Sequence, residues 1–325
     1  MNVRRLITVA ATTSVVLGSL AAAACSAQGD PVGAPPSRGS PHRTASTPAA
    51  SPLASFGKGT ASVLGIVTDH TVADFEKATR VKVNVQARYL DWGHDLPLSL
   101  LAGNASAGVA TLIELEPYGV SLRSVADGSR DSYIKTLASE AESVKGKVYL
   151  AFAPEMNGNW YTWGGHPALF VQAWRHFVTV FRSAKATNVS WVWIIHHVEK
   201  SAVAHLPSYF PGQSWVTWVG LDGYYEHPYD SFDYLFGNSL NEVRTFTTDP
   251  VLVTETAVGP LAGVVPIKID NLFDSVKARR LLGLIWFDIK QDDPPVHQNW
   301  NLESRLSALA AFRVAARRIF KQLEG

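Results

Sequence analysis

The sequence predicts an α/β fold of the (β/α)8 TIM-barrel class, on three observations. Apolar segments of strand length alternate with segments of helical spacing along residues 57–325. Eight such repeats fit in about 250 residues, the usual size of the barrel. Polar and aromatic residues gather at the C-terminal ends of the predicted strands, the face on which these barrels carry their chemistry. A doubly wound sheet is the alternative that alternation alone would permit.

The elements follow in order. SVLGIV (62–67) reads as a strand, and TVADFEKATR (71–80) has helical apolar spacing. VKVNVQARYL (81–90) is β-branched at alternate positions, LPLSLLAG (96–103) is a weak helix, and VATLIELEP (109–117) is a strand. A polar helix over 130–145 leads to the strand KVYLAFAPE (147–155), and 167–186 is a long amphipathic helix. VSWVWII (189–195) and WVTWVGLDGYY (215–225) are strands; between them, 196–214 carries Pro207, Pro211 and Gly212 and little helical pattern. The helix 231–246, the strand 250–258, the helix 266–280, the strand 281–289 and the helix 303–323 complete the series.

The N-terminal residues belong to no barrel. MNVRR supplies positive charge, residues 6–24 carry none, and the segment ends AAAC. This resembles a bacterial lipoprotein signal peptide over 1–24, cleaved before a lipidated Cys25. Cys25 is the chain's one cysteine, so no internal disulfide is expected. Residues 25–56 are rich in Pro, Ser, Ala and Thr, with Val32 and Leu53 the only large aliphatics before Phe56. Such a stretch cannot bury enough surface to offset its chain entropy and is expected to be a disordered tether. Residues 57–325 are expected to form the barrel domain, held outside the cell membrane by the N-terminal lipid or secreted.

Composition narrows the function. A net charge of +1 and the lack of any Lys/Arg-rich run give no footprint for nucleic acid. Ten Trp, ten Tyr and fourteen Phe suit a large core, and also suit a site for sugars, whose C–H faces stack on aromatic rings.

The strand ends locate that site. Strand 3 ends at Glu114 and Glu116, strand 4 at Glu155, strand 5 at His196 and His197, strand 6 at Asp222, Tyr224 and Tyr225, strand 7 at Glu255, and strand 8 at Trp286 and Asp288. Alternation puts Asp222 and Tyr224 on one face, and Val251, Val253 and Glu255 on one face. Glu155 and Glu255 then meet across the barrel mouth, three strands apart. A carboxyl pair in an aromatic cleft suits glycoside cleavage, one group protonating the leaving oxygen while the other attacks the anomeric carbon. His196 and His197 are adjacent on a strand, point to opposite faces and make a poor chelating pair; no metal or cofactor is expected.

These residues carry a resemblance to glycoside hydrolase family 26. Its motifs stand here as EMNGNWYTW (155–163), GLDGY (220–224), TETA (254–257) and WFD (286–288). The resemblance implies Glu155 as acid/base and Glu255 as nucleophile. It also implies a supporting role for Asp222 and Tyr224, and a sugar platform at Trp286. Trp160, Trp163, Asn157, His196 and Glu116 complete the expected substrate-binding set. One departure stands out: a His precedes the acid/base in the best-known members, and Pro154 stands here. Asn157, His166 and His196 are the candidates to supply its hydrogen bond. The family implies a β-linked polysaccharide as partner, β-1,4-mannan first, with mixed-linkage β-glucan and β-1,3-xylan as alternatives, and a monomer is expected. A non-catalytic sugar-binding lipoprotein and an enzyme remodelling the cell envelope are the rival classes; the former would not need both Glu residues.

Overall fold

The computed structural model describes residues 61–198, 205–291 and 299–323. The signal peptide, Cys25 and the tether lie outside the described residues. Eight parallel strands close into a barrel in chain order. They are β1 (Val63–Thr68), β2 (Val85–Asp91), β3 (Ala110–Glu116), β4 (Val148–Phe152), β5 (Val189–His196), β6 (Trp218–Asp222), β7 (Val251–Thr256) and β8 (Gly283–Asp288). The helices between and after them are α1 (Val72–Thr79), α2 (Leu98–Ser106), α3 (Leu122–Ala126), α4 (Asp131–Ser143), α5 (Pro167–Ser183), α6 (Asn238–Phe246), α7 (Val265–Ala278) and α8 (Leu306–Ile319). No helix among the described residues is long and apolar enough to cross a membrane.

Local chemistry sets the helix starts. Thr71 and Asp74 form a reciprocal capping box at α1, and Pro167 opens α5, where its missing N–H costs nothing. The short α3 interrupts a stretch that carries no helical period, and Ser121 caps it by accepting from the Ser124 N–H. The link after β5 contains two single 3₁₀ turns, Leu206–Tyr209 and Gln213–Trp215, in keeping with its weak pattern. A π-turn, Asp233–Gly237, leads into α6.

Strand register decides which side chains face the barrel interior. Tyr89 pairs with Glu114, Glu114 with Ala151, Tyr149 with Ser190, His196 with Asp222, and Asp222 with Glu255. Paired residues share a face, so these line the inside. Deeper in the interior Tyr149 stacks on Trp218, ring centroids 4.0 Å apart. The barrel closes between β1 and β8 at Gly283, where φ is +154° and a Cβ would fall 1.7 Å from the Val63 carbonyl oxygen; only glycine fits.

The outer face packs on the helices. Trp191 of β5 meets Phe177 and Phe181 of α5 edge-on. Trp286 of β8 meets Phe312 of α8, centroids 5.2 Å apart. Each such buried ring contributes roughly 1.5–3 kcal/mol by removal from water. Burial accounts for most of the tryptophans: Trp163, Trp174, Trp193, Trp218, Trp286 and Trp300 are all fully buried, in the interior, in loops or against the helices.

Candidate active site

The β4–α5 connection begins earlier than the sequence predicts. The strand stops at Phe152, and Ala153 and Glu155 adopt left-handed conformations at φ 51° and 56°. Non-glycine residues rarely do so, and such strain concentrates at functional sites. The Glu155 N–H then donates to the Ile194 carbonyl of β5 at 2.9 Å, which ties the turn to the neighbouring strand. The turn places the Glu155 carboxyl inside the mouth, fully buried.

Two neighbours fix that carboxyl, and a third fixes one of them. His196 Nδ1 lies 3.0 Å from Glu155 Oε1, and Trp160 Nε1 donates to Oε2 at 3.2 Å. Asn157 acts on the histidine and not on the carboxyl. Its Nδ2 donates to the His196 carbonyl at 2.8 Å, and its Oδ1 accepts the His196 N–H at 3.0 Å. Glycine at 158 seats the Trp160 indole, since a Cβ there would come within 2.4 Å of the ring. His196 is thus the candidate that reaches the Glu155 carboxyl, next to a Pro154 that has no side-chain donor. His166, the third candidate, sits at the N-cap of α5.

Glu255 is positioned by a bulge. The β6–β7 register shifts between Leu221 and Asp222: Gly220 pairs with Leu252, Leu221 with Val253, and Asp222 with Glu255. Glu255 therefore shares the inner face of Leu252. The strict alternation that would group it with Val251 and Val253 is broken, an irregularity frequent beside active sites. Tyr89 donates its hydroxyl to Glu255 Oε2, and Tyr224 donates to Oε1. Asp222 and Tyr224 do share the site, as expected, with Thr254 Oγ1 donating to Asp222 Oδ1 at 2.7 Å.

Glu114, Asp222 and Glu255, all buried, have carboxyl oxygens within 4.8 Å of one another. This spacing could serve a hard cation or a shared proton. The two phenols already take one lone pair on each oxygen of Glu255, and no metal role is assigned. Glu116 is buried at the end of β3 and pairs in register with Asp91.

Two expected sugar platforms are corrected. Trp163 is buried, its Nε1 donating to the Pro154 carbonyl at 2.8 Å. Tyr161 stacks on its face at 4.2 Å, so it locks the turn that carries Glu155 and offers no face to a ligand. Trp286 is 0% exposed and points outward onto α8, because β8 presents Gly283, Ile285 and Phe287 to the interior. Phe287 and Trp300 border Tyr224 instead, at 5.6 and 4.8 Å. Of the three tryptophans, Trp160 alone reaches the Glu155 carboxyl and stays partly exposed.

Sequence reasoning missed Tyr89 and Trp300. Tyr89 had a signal, lying at the C-terminal end of a β-branched strand. Trp300 follows β8 by a loop, and nothing in its spacing marks it. Beside it, Asp288 accepts the Leu302 N–H at 2.8 Å. Burial raises its pKa to about 7, against the opposing pull of that N–H and of Arg305.

Residues 122–313 match the profile of glycosyl hydrolase family 26. Endoglucanase H of Acetivibrio thermocellus is 23% identical over 266 residues, covering 76% of this chain and 29% of that protein. Mannan endo-1,4-beta-mannosidase A and B of Caldalkalibacillus mannanilyticus is 31% identical over 98 residues, 26% of this chain and 18% of that protein. The chain thus spans under a third of the length of either relative. A modular endo-beta-1,4-mannanase from Cellulomonas fimi shares the fold, with a TM-score of 0.64 at 16% identity, covering 81% of this chain and 72% of that one. The profile takes in more than half of the chain and both strand-end glutamates, and the chain belongs to glycosyl hydrolase family 26.

Proposed function

We propose that the protein is a retaining glycoside hydrolase acting on a β-linked polysaccharide, with Glu155 as acid/base and Glu255 as nucleophile. The observation that carries this reading is the unequal setting of the two buried carboxyls. Two phenol hydroxyls clamp Glu255 and fix its plane, while Glu155 meets an imidazole that can exchange protons and an indole N–H. A clamped oxygen is oriented for attack. A carboxyl beside an imidazole suits proton transfer in both directions.

In the first step a Glu255 oxygen attacks the anomeric carbon as Glu155 gives its proton to the glycosidic oxygen. The C–O bond breaks and the leaving sugar departs as an alcohol. The second step reverses the roles: water attacks the anomeric carbon of the glycosyl ester, and Glu155 takes its proton. The ester bond breaks and Glu255 is restored.

The substrate reading is β-1,4-mannan, supported by the mannosidase relative. A β-glucan is the second reading, because the alignment with an endoglucanase covers 76% of this chain. The test is to incubate the full chain with β-1,4-mannan, mixed-linkage β-glucan and β-1,3-xylan and size the products. Short mannan fragments are expected. Faster glucan cleavage would move the assignment to the second reading, and no cleavage of any of them would sink the enzymatic one.

We also propose that Cys25 is acylated and anchors the domain outside the cell membrane, supported by the charge-free segment ending AAAC. Cys25→Ala is expected to release the protein from membranes or block its processing. An unlipidated wild type with a free Cys25 thiol would contradict this.

A further inference from the structure

The connection that follows β6 carries a set of side chains that the catalytic reading leaves unused. Five residues beyond Tyr224 stands Tyr229, 60% exposed, its ring parallel to that of His227 at 4.9 Å and 12°. Tyr234, 46% exposed, meets Tyr229 edge-on at 5.3 Å. Exposed aromatics are unremarkable singly, but a grouped set on one rim calls for a partner.

The segment beneath them is tightly held. The buried Asp230 carboxylate accepts the N–H groups of Glu226 and His227, both at 2.7 Å. Lys268 of α7 donates to the carbonyl of Pro228 at 2.6 Å and to that of Asp230. Asn271 Oδ1 accepts the Phe232 N–H at 2.8 Å and the Tyr225 hydroxyl at 3.2 Å. Gly263 packs against Pro228, where a Cβ would already lie 3.5 Å away. A rim so braced presents its rings at little cost in ordering when something binds.

The rim is continuous with the cleft. Tyr225 extends the strand ladder, bonding Ala257 and Gly259. Half-buried Glu226 lies within electrostatic reach of both His227 and His196, the histidine that holds Glu155. The segment therefore borders the mouth, on the same connection as the Tyr224 hydroxyl that donates to Glu255. Five extended residues span at most about 17 Å, so Tyr229 stands a few sugar units or less from Tyr224.

We propose that His227, Tyr229 and Tyr234 form a sugar-binding subsite at the rim of the cleft, taking one pyranose unit of the same β-linked chain against the Tyr229 ring. The proposal rests on the glycoside hydrolase reading. It names where the chain runs away from the point of cleavage.

The test compares the full chain with its Tyr229→Ala and Tyr229→Phe variants on two kinds of probe. β-1,4-Mannohexaose and cellohexaose are long enough to reach the rim, whereas 2,4-dinitrophenyl β-mannoside and β-glucoside carry a single sugar at the point of cleavage. The ratio of kcat/KM on the hexaose to kcat/KM on the aryl glycoside is expected to fall about 3- to 10-fold in Tyr229→Ala, the worth of one aromatic contact, and to recover in Tyr229→Phe. A ratio equal to that of the wild type overturns the subsite. Hexaose affinity, read by NMR titration, separates this from failure of the enzymatic reading. A chain that cleaves nothing but binds hexaose 3- to 10-fold more weakly after Tyr229→Ala keeps the subsite and loses the hydrolase. Equal affinity in both proteins, or no binding by either, removes the subsite.

Discussion

His196→Ala tests how the chain manages without a histidine at position 154. His196 Nδ1 sits 3.0 Å from Glu155 Oε1, in a pair whose carboxyl is fully buried and whose imidazole is 11% exposed. A hydrogen bond between a charged and a polar partner in such a place is worth about 1.5–3 kcal/mol. If it acts only while Glu155 is handling a proton, its loss costs about 10- to 150-fold in rate. The assay is kcat/KM on mannohexaose beside kcat/KM on a 2,4-dinitrophenyl glycoside. The first depends on proton delivery to the leaving oxygen. The second does not, because dinitrophenolate leaves unaided. The hexaose value is expected to fall by that factor and the aryl value by less than about threefold. His196→Asn, which keeps a donor near the position of Nδ1, is expected to recover part of the loss. Equal falls on both probes would refute the reasoning and reduce His196 to a packing residue.

Tyr224→Phe and Tyr89→Phe each remove one donor to Glu255 and are expected to lower kcat by about 10-fold or more on every substrate, aryl glycosides included; wild-type rates on aryl glycosides would contradict the clamp. Trp286→Ala is expected to cost about 3–5 kcal/mol of stability, measured by denaturant unfolding, because the ring is core against α8. Trp160→Ala is expected to leave stability within about 1 kcal/mol and to impair catalysis. Asp288 predicts a pH effect. Its pKa is raised by burial from 3.8 to about 7, so between those values the folded state keeps a proton that the unfolded state gives up. Stability from this group is full below pH about 4 and is lost as pH rises to about 7, by as much as about 4 kcal/mol. Asp288→Asn should flatten that slope, and an unchanged pH–stability profile would contradict it.

The barrel was legible because strands buried on both faces read as near-continuous apolar runs, and because amphipathic helices such as Pro167–Ser183 keep a clear period. The site's chemistry was legible at Glu155, Glu255, Asp222 and Tyr224, whose residue types are costly at strand ends without a purpose. Orientation was less so. A period of two says which residues share a face but not which face is inside; the platform at Trp286 came from the resemblance, and only the register of β8 with β1 shows that its ring points outward. The bulge at Glu255 is a backbone event with no sequence period, and the left-handed turns at Ala153 and Glu155 occupy conformations that their side chains do not advertise. Trp163 shows the same limit in a loop. Its indole fills the space beneath a turn, and only the three-dimensional path of that turn reveals it. His196 was one of three candidates for a missing donor, and only the tie between Glu155 and Ile194 across β4 and β5 singles it out.

The central claim is that Glu255 attacks the sugar directly and Glu155 serves both steps. Proton NMR of the first-formed product, recorded before mutarotation with the wild-type chain and a β-linked hexaose, tests it most directly. Two displacements at the anomeric carbon return the starting configuration, so a β-anomer is expected as the first product. An α-anomer would mean a single displacement by water, and would contradict the assignment of Glu255 as nucleophile.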